Sequence, residues 1–182
     1  MPKTIKLNPT QKIAIAVNVV IRTITPLWVF INPWQGAVIA LVTDCIDYRP
    51  LVRWLHVPQK IYQLQDKLLD YYWYILILLY ALHSIRDLVI LWLIIFSFIV
   101  RSIGQIIFTI SKKETVLLFF PNIQEPIFWA WLLSPALLSR QLFPYTILMV
   151  LILKLANEYY THVLKGNPLD QIFQSFHIKT KL

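Results

Sequence analysis

The chain has one cysteine, three glycines and nine acidic residues among its 182 positions. A lone Cys45 excludes an internal disulfide. With no base or metal partner beside it in sequence, its thiol reads as a small helix residue rather than a nucleophile. So few glycines, and no turn signals recurring at strand spacing, argue against a β-barrel and leave no glycine-rich phosphate loop. His56, His83, His162 and His177 have no metal-binding spacing to one another, and no serine–histidine nucleophile signature is present. No small-residue cleavage site follows the first apolar run, so that run reads as a membrane span rather than a signal peptide.

What is abundant is apolar surface. The chain is 58% hydrophobic, above the roughly 45–50% of soluble domains, and the excess recurs along the whole length. This predicts an all-α integral membrane bundle of about six transmembrane helices. The spans fall at roughly 12–33, 35–54, 68–84, 87–107, 115–134 and 142–163, each near the length a bilayer requires. Pro121, Gln124, Glu125 and Pro126 interrupt the fifth, which is expected to be bent, broken or re-entrant. Trp34, Trp54, Tyr71, Tyr72, Trp73, Tyr145, Tyr159 and Tyr160 sit near span ends, as an interfacial aromatic belt would. Residues 1–165 read as one transmembrane domain. Residues 166–182 read as a short polar tail able to form an amphipathic surface helix.

The formal charge is +8, but the basic residues are spread among connections rather than gathered on one face, which argues against nucleic acid as a partner. In a membrane protein the surplus sets orientation. Lys3, Lys6 and Lys12, then Arg49, Arg53, Lys60 and Lys67, then Lys112 and Lys113, and finally Lys165, Lys179 and Lys181 fall on one set of connections, with only Arg86 and Arg140 opposite. Both termini and the 48–65 connection are therefore expected on the cytoplasmic side. Arg22, inside the first span, is expected to snorkel or to pair with another helix. Arg86 and Asp87 are expected to form an ion pair at the far face.

Four aspartates stand out against this background. Asp44 and Asp47 close one apolar run, and Asp66 and Asp70 precede another. Spacings of three and four place each pair on one helix face. Two such faces turned together would make an oxygen cage for hard divalent cations such as Mg2+ or Mn2+. The plainer alternative is a pair of solvated helix ends neutralised by Arg49, Arg53 and Lys67.

The order of apolar span, Thr43-Asp44-Cys45-Ile46-Asp47, basic connection, Asp66-Lys67-Leu68-Leu69-Asp70 and aromatic span resembles the CDP-alcohol phosphatidyltransferase family. That family's motif runs D-x-x-D-G-x-x-A-R and later G-x-x-x-D-x-x-x-D, across the second and third of six membrane helices. Ile21-Arg22-Thr23-Ile24-Thr25-Pro26, Ile85-Arg86-Asp87-Leu88 and Ser111-Lys112-Lys113-Glu114-Thr115 are similar to further family segments, so the likeness in layout covers residues 20 to 120 or so. The resemblance implies that Asp44, Asp47, Asp66 and Asp70 hold two divalent cations, which grip the diphosphate of a CDP-linked donor. It further implies that Asp70 is the base activating an acceptor hydroxyl, that CMP leaves, and that the protein forms a homodimer. Arg101 with Lys112 would meet an acceptor phosphate or lipid head group, and Tyr48 and Arg53 would border the donor.

The family's glycines are replaced here by Tyr48 and Tyr62, its Ala-Arg pair falls on Leu51 and Val52 with Arg53 one position late, and the Asp47-to-Asp66 spacing is one residue longer. A rival register makes Asp66 the fourth motif position, with Leu41, Asp44 and Tyr62 as the other three, and loses two carboxylates. Glycine serves where a ligand approaches backbone closely, so the metal half of the motif is kept and the nucleotide half remodelled. Pro50 is expected to end or kink the second helix. The expected function is a divergent metal-dependent transferase moving a phosphoalcohol or phosphatidyl group onto a lipid or small-alcohol substrate. The alternatives are an inactive relative acting as a membrane scaffold or lipid-binding protein and, less in keeping with charge-poor spans, an ion or proton transporter.

Overall fold

A computed structural model describes residues 7–111, 116, 117, 119–137 and 143–162. Among these residues there is no strand; the fold is all-helical. The helices are α1 (Pro9–Ile24), α2 (Pro33–Tyr48), α3 (Gln59–Ser84), α4 (Leu88–Ser111), α5 (Gln124–Leu137) and α6 (Phe143–His162). They fall into two compact units, Met1–Ile85 and Arg86–Leu182.

In the first unit, α1 starts with a reciprocal cap. Asn8 Oδ1 accepts from the Gln11 N–H at 2.7 Å, and Gln11 Oε1 accepts from the Asn8 N–H at 3.0 Å. Pro9 occupies the first helical turn, where its missing donor costs nothing. Pro26 cannot extend the α-helical ladder, and the chain tightens into a 3-10 turn, Thr25–Phe30. The continuous helical stretch Pro9–Phe30 is long and apolar enough to cross a membrane. Asn32 then caps α2, accepting from the Gln35 N–H at 3.0 Å. The return is tight at Gly36, where a Cβ would collide with the backbone of Trp28 and Val29.

The α-helical ladder of α2 ends at Tyr48, as Pro50 predicts, but Pro50 does not stop the helical path of the chain. Lacking an N–H to bond the preceding turn, it passes the chain into a wider π turn, Arg49–Trp54, in which the Leu55 N–H reaches Pro50 O at 3.1 Å. His56, with φ of 52°, reverses the chain. Gln11 Nε2 ties this reversal to the start of α1, donating to Leu55 O at 3.0 Å and His56 O at 3.1 Å. Leu51, Val57 and Tyr62 form a buried cluster beneath it, packed by Ala14 and Ile15 of α1. The third helix is longer than the span expected over residues 68–84, beginning at Gln59. Its buried residues include Tyr62, Leu69, Trp73, Leu76 and Tyr80, the three-and-four spacing of a core-facing stripe. Trp73 is thus a core residue rather than part of an interfacial belt. Its neighbour Tyr72 donates its hydroxyl to Thr23 O of α1 at 3.1 Å.

In the second unit, Asp87 is a helix cap: its Oδ1 accepts from the N–H groups of Val89 at 3.0 Å and Ile90 at 3.4 Å. Among the described residues no ion pair joins it to Arg86, contrary to expectation. Leu88–Ser111 is the second stretch long and apolar enough to cross a membrane. It buries Ile94, Ser97, Arg101, Gly104, Gln105 and Phe108 on one face and exposes Trp92, Phe96, Ile99, Ile103 and Ile110. Ser97, Arg101 and Gln105 thus lie on the buried face and large apolar side chains on the exposed one, as a lipid-facing helix would have them. The fifth span is displaced relative to the sequence expectation over 115–134: α5 begins only at Gln124. Pro126 lies in its first turn, and Asn122 and Glu125 bond each other across that start, Asn122 Nδ2 donating to Glu125 Oε2 at 3.0 Å. The prolines therefore place a helix boundary instead of a bend. Residues 163–182, including the polar tail, lie outside the described residues.

Among the described residues, two stretches therefore meet the length and hydropathy of a span. α2 is only 16 residues and ends in carboxylates, and α3 carries Asp66, Lys67 and Asp70.

Candidate functional site

The four aspartates meet in the first unit, around a residue of α1. Arg22 Nη2 lies 2.6 Å from Asp44 Oδ1 and 2.9 Å from Asp70 Oδ1; Arg22 Nη1 lies 2.7 Å from Asp47 Oδ2 and 2.8 Å from Asp66 Oδ1. Asp44 and Asp47 come from the last turn of α2. Asp66 and Asp70 follow Tyr62 at four-residue steps on one face of α3. Arg22 projects from α1 between them and is 5% exposed, whereas the Asp44 side chain is 46% exposed, so the cluster opens on the Asp44 side.

The carboxylates are held differently. Asp47 is buried and fully engaged: Oδ1 accepts from the Tyr62 hydroxyl at 2.7 Å, and Oδ2 accepts from Asn18 Nδ2 at 3.1 Å as well as from Arg22. Asn18 lies one turn before Arg22, so a single face of α1 serves both contacts. Lys67 Nζ lies 3.0 Å from Asp66 Oδ2 and 3.3 Å from Asp70 Oδ2.

Asp44, Asp66 and Asp70 each offer one oxygen within 4.8 Å of the others, a set that can hold a metal ion. All-carboxylate donors suit a hard cation. Asp47 stands outside this triad, although the sequence grouped it with the other three.

The remaining residues singled out in sequence distribute as follows. Tyr48 closes α2, and its ring meets the Tyr62 ring edge-on, with centroids 5.4 Å apart and planes at 72°. The two tyrosines therefore pack on each other. Arg53 is exposed on the π turn. Arg101 is buried in α4 of the second unit, donating from Nη1 to Phe120 O at 2.8 Å. Lys112 lies outside the described residues. Leu41, which the rival register needs, is an exposed apolar residue.

Arg22 is the central residue that sequence reasoning did not assign to the site. The signal was present: the first 86 residues contain no acidic residues other than these four aspartates, and a charge within an apolar span requires a partner. Compared with protein-family models, curated proteins and solved structures, the chain gives no match.

Proposed function

We propose that this is a membrane-embedded, metal-dependent transferase resembling the CDP-alcohol phosphatidyltransferases, moving a phosphoalcohol or phosphatidyl group from a nucleotide-diphosphate donor to a lipid or small-alcohol hydroxyl. The observation that carries this reading is the convergence of Asp44, Asp66 and Asp70, from two helices, to within 4.8 Å. Asp44, Asp66 and Asp70 would hold a first divalent cation, Mg2+ or Mn2+, and a second would require Asp47 to exchange one of its present partners. Bound there, such ions neutralise a diphosphate and stabilise attacking and leaving oxygens. Asp70 is the proposed base: it takes the acceptor hydroxyl proton as the new oxygen–phosphorus bond forms and the bond to the departing nucleoside monophosphate breaks. Basic residues near the cluster, among them Lys60 and Lys67, support a cytoplasmic position for it.

One observation favours a second reading, a non-catalytic relative that binds lipid or scaffolds the membrane. The Tyr48 and Tyr62 rings pack on each other, at positions where the resemblance would call for glycine and close backbone approach of a nucleotide. The test is nucleoside monophosphate release by the purified full chain in Mg2+, across a panel of nucleoside-diphosphate-linked alcohols and lipids. Turnover that Asp70→Asn abolishes supports the transferase. Absence of turnover with every donor favours the second reading.

A further inference from the structure

Three of the four carboxylates that Arg22 touches belong to the residues able to group around a metal ion. Its guanidinium is bonded to Asp44 Oδ1, Asp66 Oδ1 and Asp70 Oδ1 at 2.6–2.9 Å. The other oxygens of Asp66 and Asp70 face Lys67. A cation among Asp44, Asp66 and Asp70 would therefore compete with Arg22 for these carboxylates, and would lie against its positive charge. Coulomb repulsion in so buried a place is weakly screened. Guanidinium and metal ion are thus alternatives for the same volume.

We propose that Arg22 is a tethered counter-ion that closes the carboxylate cage when no metal is bound, and that a divalent cation binds only as Arg22 withdraws from Asp44, Asp66 and Asp70. This rests on the metal-binding reading of the preceding section. It explains two features together. A cage of carboxylates brought together at helix ends would repel itself during folding; a buried arginine neutralises it before any ion arrives. The most exposed carboxylate, Asp44, is also the one whose release opens the cage toward solvent. Four bonds to two terminal nitrogens make the closed state well satisfied, so apparent metal affinity is reduced by the fraction of molecules in which the arginine has moved.

The experiment is Mn2+ binding by electron paramagnetic resonance on the purified full chain, for the native protein and Arg22→Gln. Removal of the competing charge should tighten Mn2+ binding at least about tenfold, as expected when the competent state no longer has to be drawn from a closed population. Added methylguanidinium should weaken binding in Arg22→Gln more than in the native chain. Equal or weaker Mn2+ affinity in a folded Arg22→Gln overturns the proposal while leaving the metal-binding reading intact; no binding by either protein overturns both. If Arg22→Gln does not fold, the native protein decides. Phenylglyoxal labelling, mapped to the Arg22 peptide, should accelerate with Mn2+ and slow again with chelator, and a rate indifferent to Mn2+ overturns the proposal.

Discussion

Tyr62 donates its hydroxyl to Asp47 Oδ1 at 2.7 Å, joining the start of α3 to the end of α2 within the carboxylate cluster. The bond has two consequences. It ties down the one aspartate that stands outside the metal-competent triad. It also gives the Tyr62 hydroxyl a structural role, since it links α3 to α2.

Tyr62→Phe should therefore destabilise the protein although it keeps the ring and its packing on Tyr48. A buried carboxylate oxygen loses its donor, which costs about 1–3 kcal/mol. Thermal unfolding in detergent should show a lower midpoint, with little change for Tyr48→Phe. Equal midpoints for native protein and Tyr62→Phe would mean that the bond contributes nothing net.

Gly36→Ala tests the α1–α2 return that delivers Arg22 to the aspartates. The new methyl group meets backbone of Trp28 and Val29, which cannot rotate aside as a side chain tip would. Overpacking of this kind costs about 1–3 kcal/mol. The midpoint should fall, and Mn2+ binding should change with it, because α1 and α2 must shift against each other. An unchanged midpoint would show that the return has slack.

The metal reading makes a stability prediction independent of turnover. At 100 times its dissociation constant, Mg2+ or Mn2+ should stabilise the folded chain by about 2.7 kcal/mol. Asp66→Asn should lose most of this, since it removes one anionic ligand while roughly keeping shape. Melting curves indifferent to Mg2+, Mn2+ and chelator alike would remove the basis for the proposed function.

How much of this was legible beforehand varies by residue. Spacings of three and four made each aspartate pair legible as one helix face; that the two faces meet, rather than standing as separate solvated helix ends, is shown by the contacts to Arg22. Part of the aspartates' counter-charge was legible as well, since Lys67 pairs with Asp66 and Asp70; the central part was not, because Arg22 reaches the cluster from another helix. The spacing could not show that Tyr62 bonds Asp47, since that contact depends on how α2 and α3 meet. Pro50 was legible as the end of α2 but not as a π turn: loss of one N–H ends the α-helical ladder at Tyr48, and the Leu55-to-Pro50 bond carries the chain on in a widened turn. At the fifth helix the composition of 115–134 was apolar enough, but Pro121 and Pro126 fix a start at Gln124.

Membrane topology can be tested at the two ends of α3, which spans 26 residues, a rise of about 39 Å. Cysteines introduced at Gln59 and Arg86, in a Cys45→Ser background, should label from opposite sides of a proteoliposome, with Gln59 on the side of the basic connections. Labelling of both from one side would exclude α3 as a span.

The donor prediction turns on Tyr48. Its ring already packs edge-on against Tyr62, and Tyr62 is itself anchored to Asp47, so the pair cannot move as a unit without breaking that bond. A pyrimidine nucleotide seeking close backbone approach must displace the Tyr48 ring or stack on it. Obstruction leads us to expect weak CDP binding even in saturating Mg2+, and tighter binding in Tyr48→Gly. Stacking would have the opposite sign, because an aromatic ring under a base contributes about 1–3 kcal/mol, so glycine would then weaken binding. Calorimetry with CDP on both proteins separates these outcomes. Tight CDP binding that is the same in both would place the nucleotide elsewhere, and would remove the steric argument that favours a non-catalytic relative.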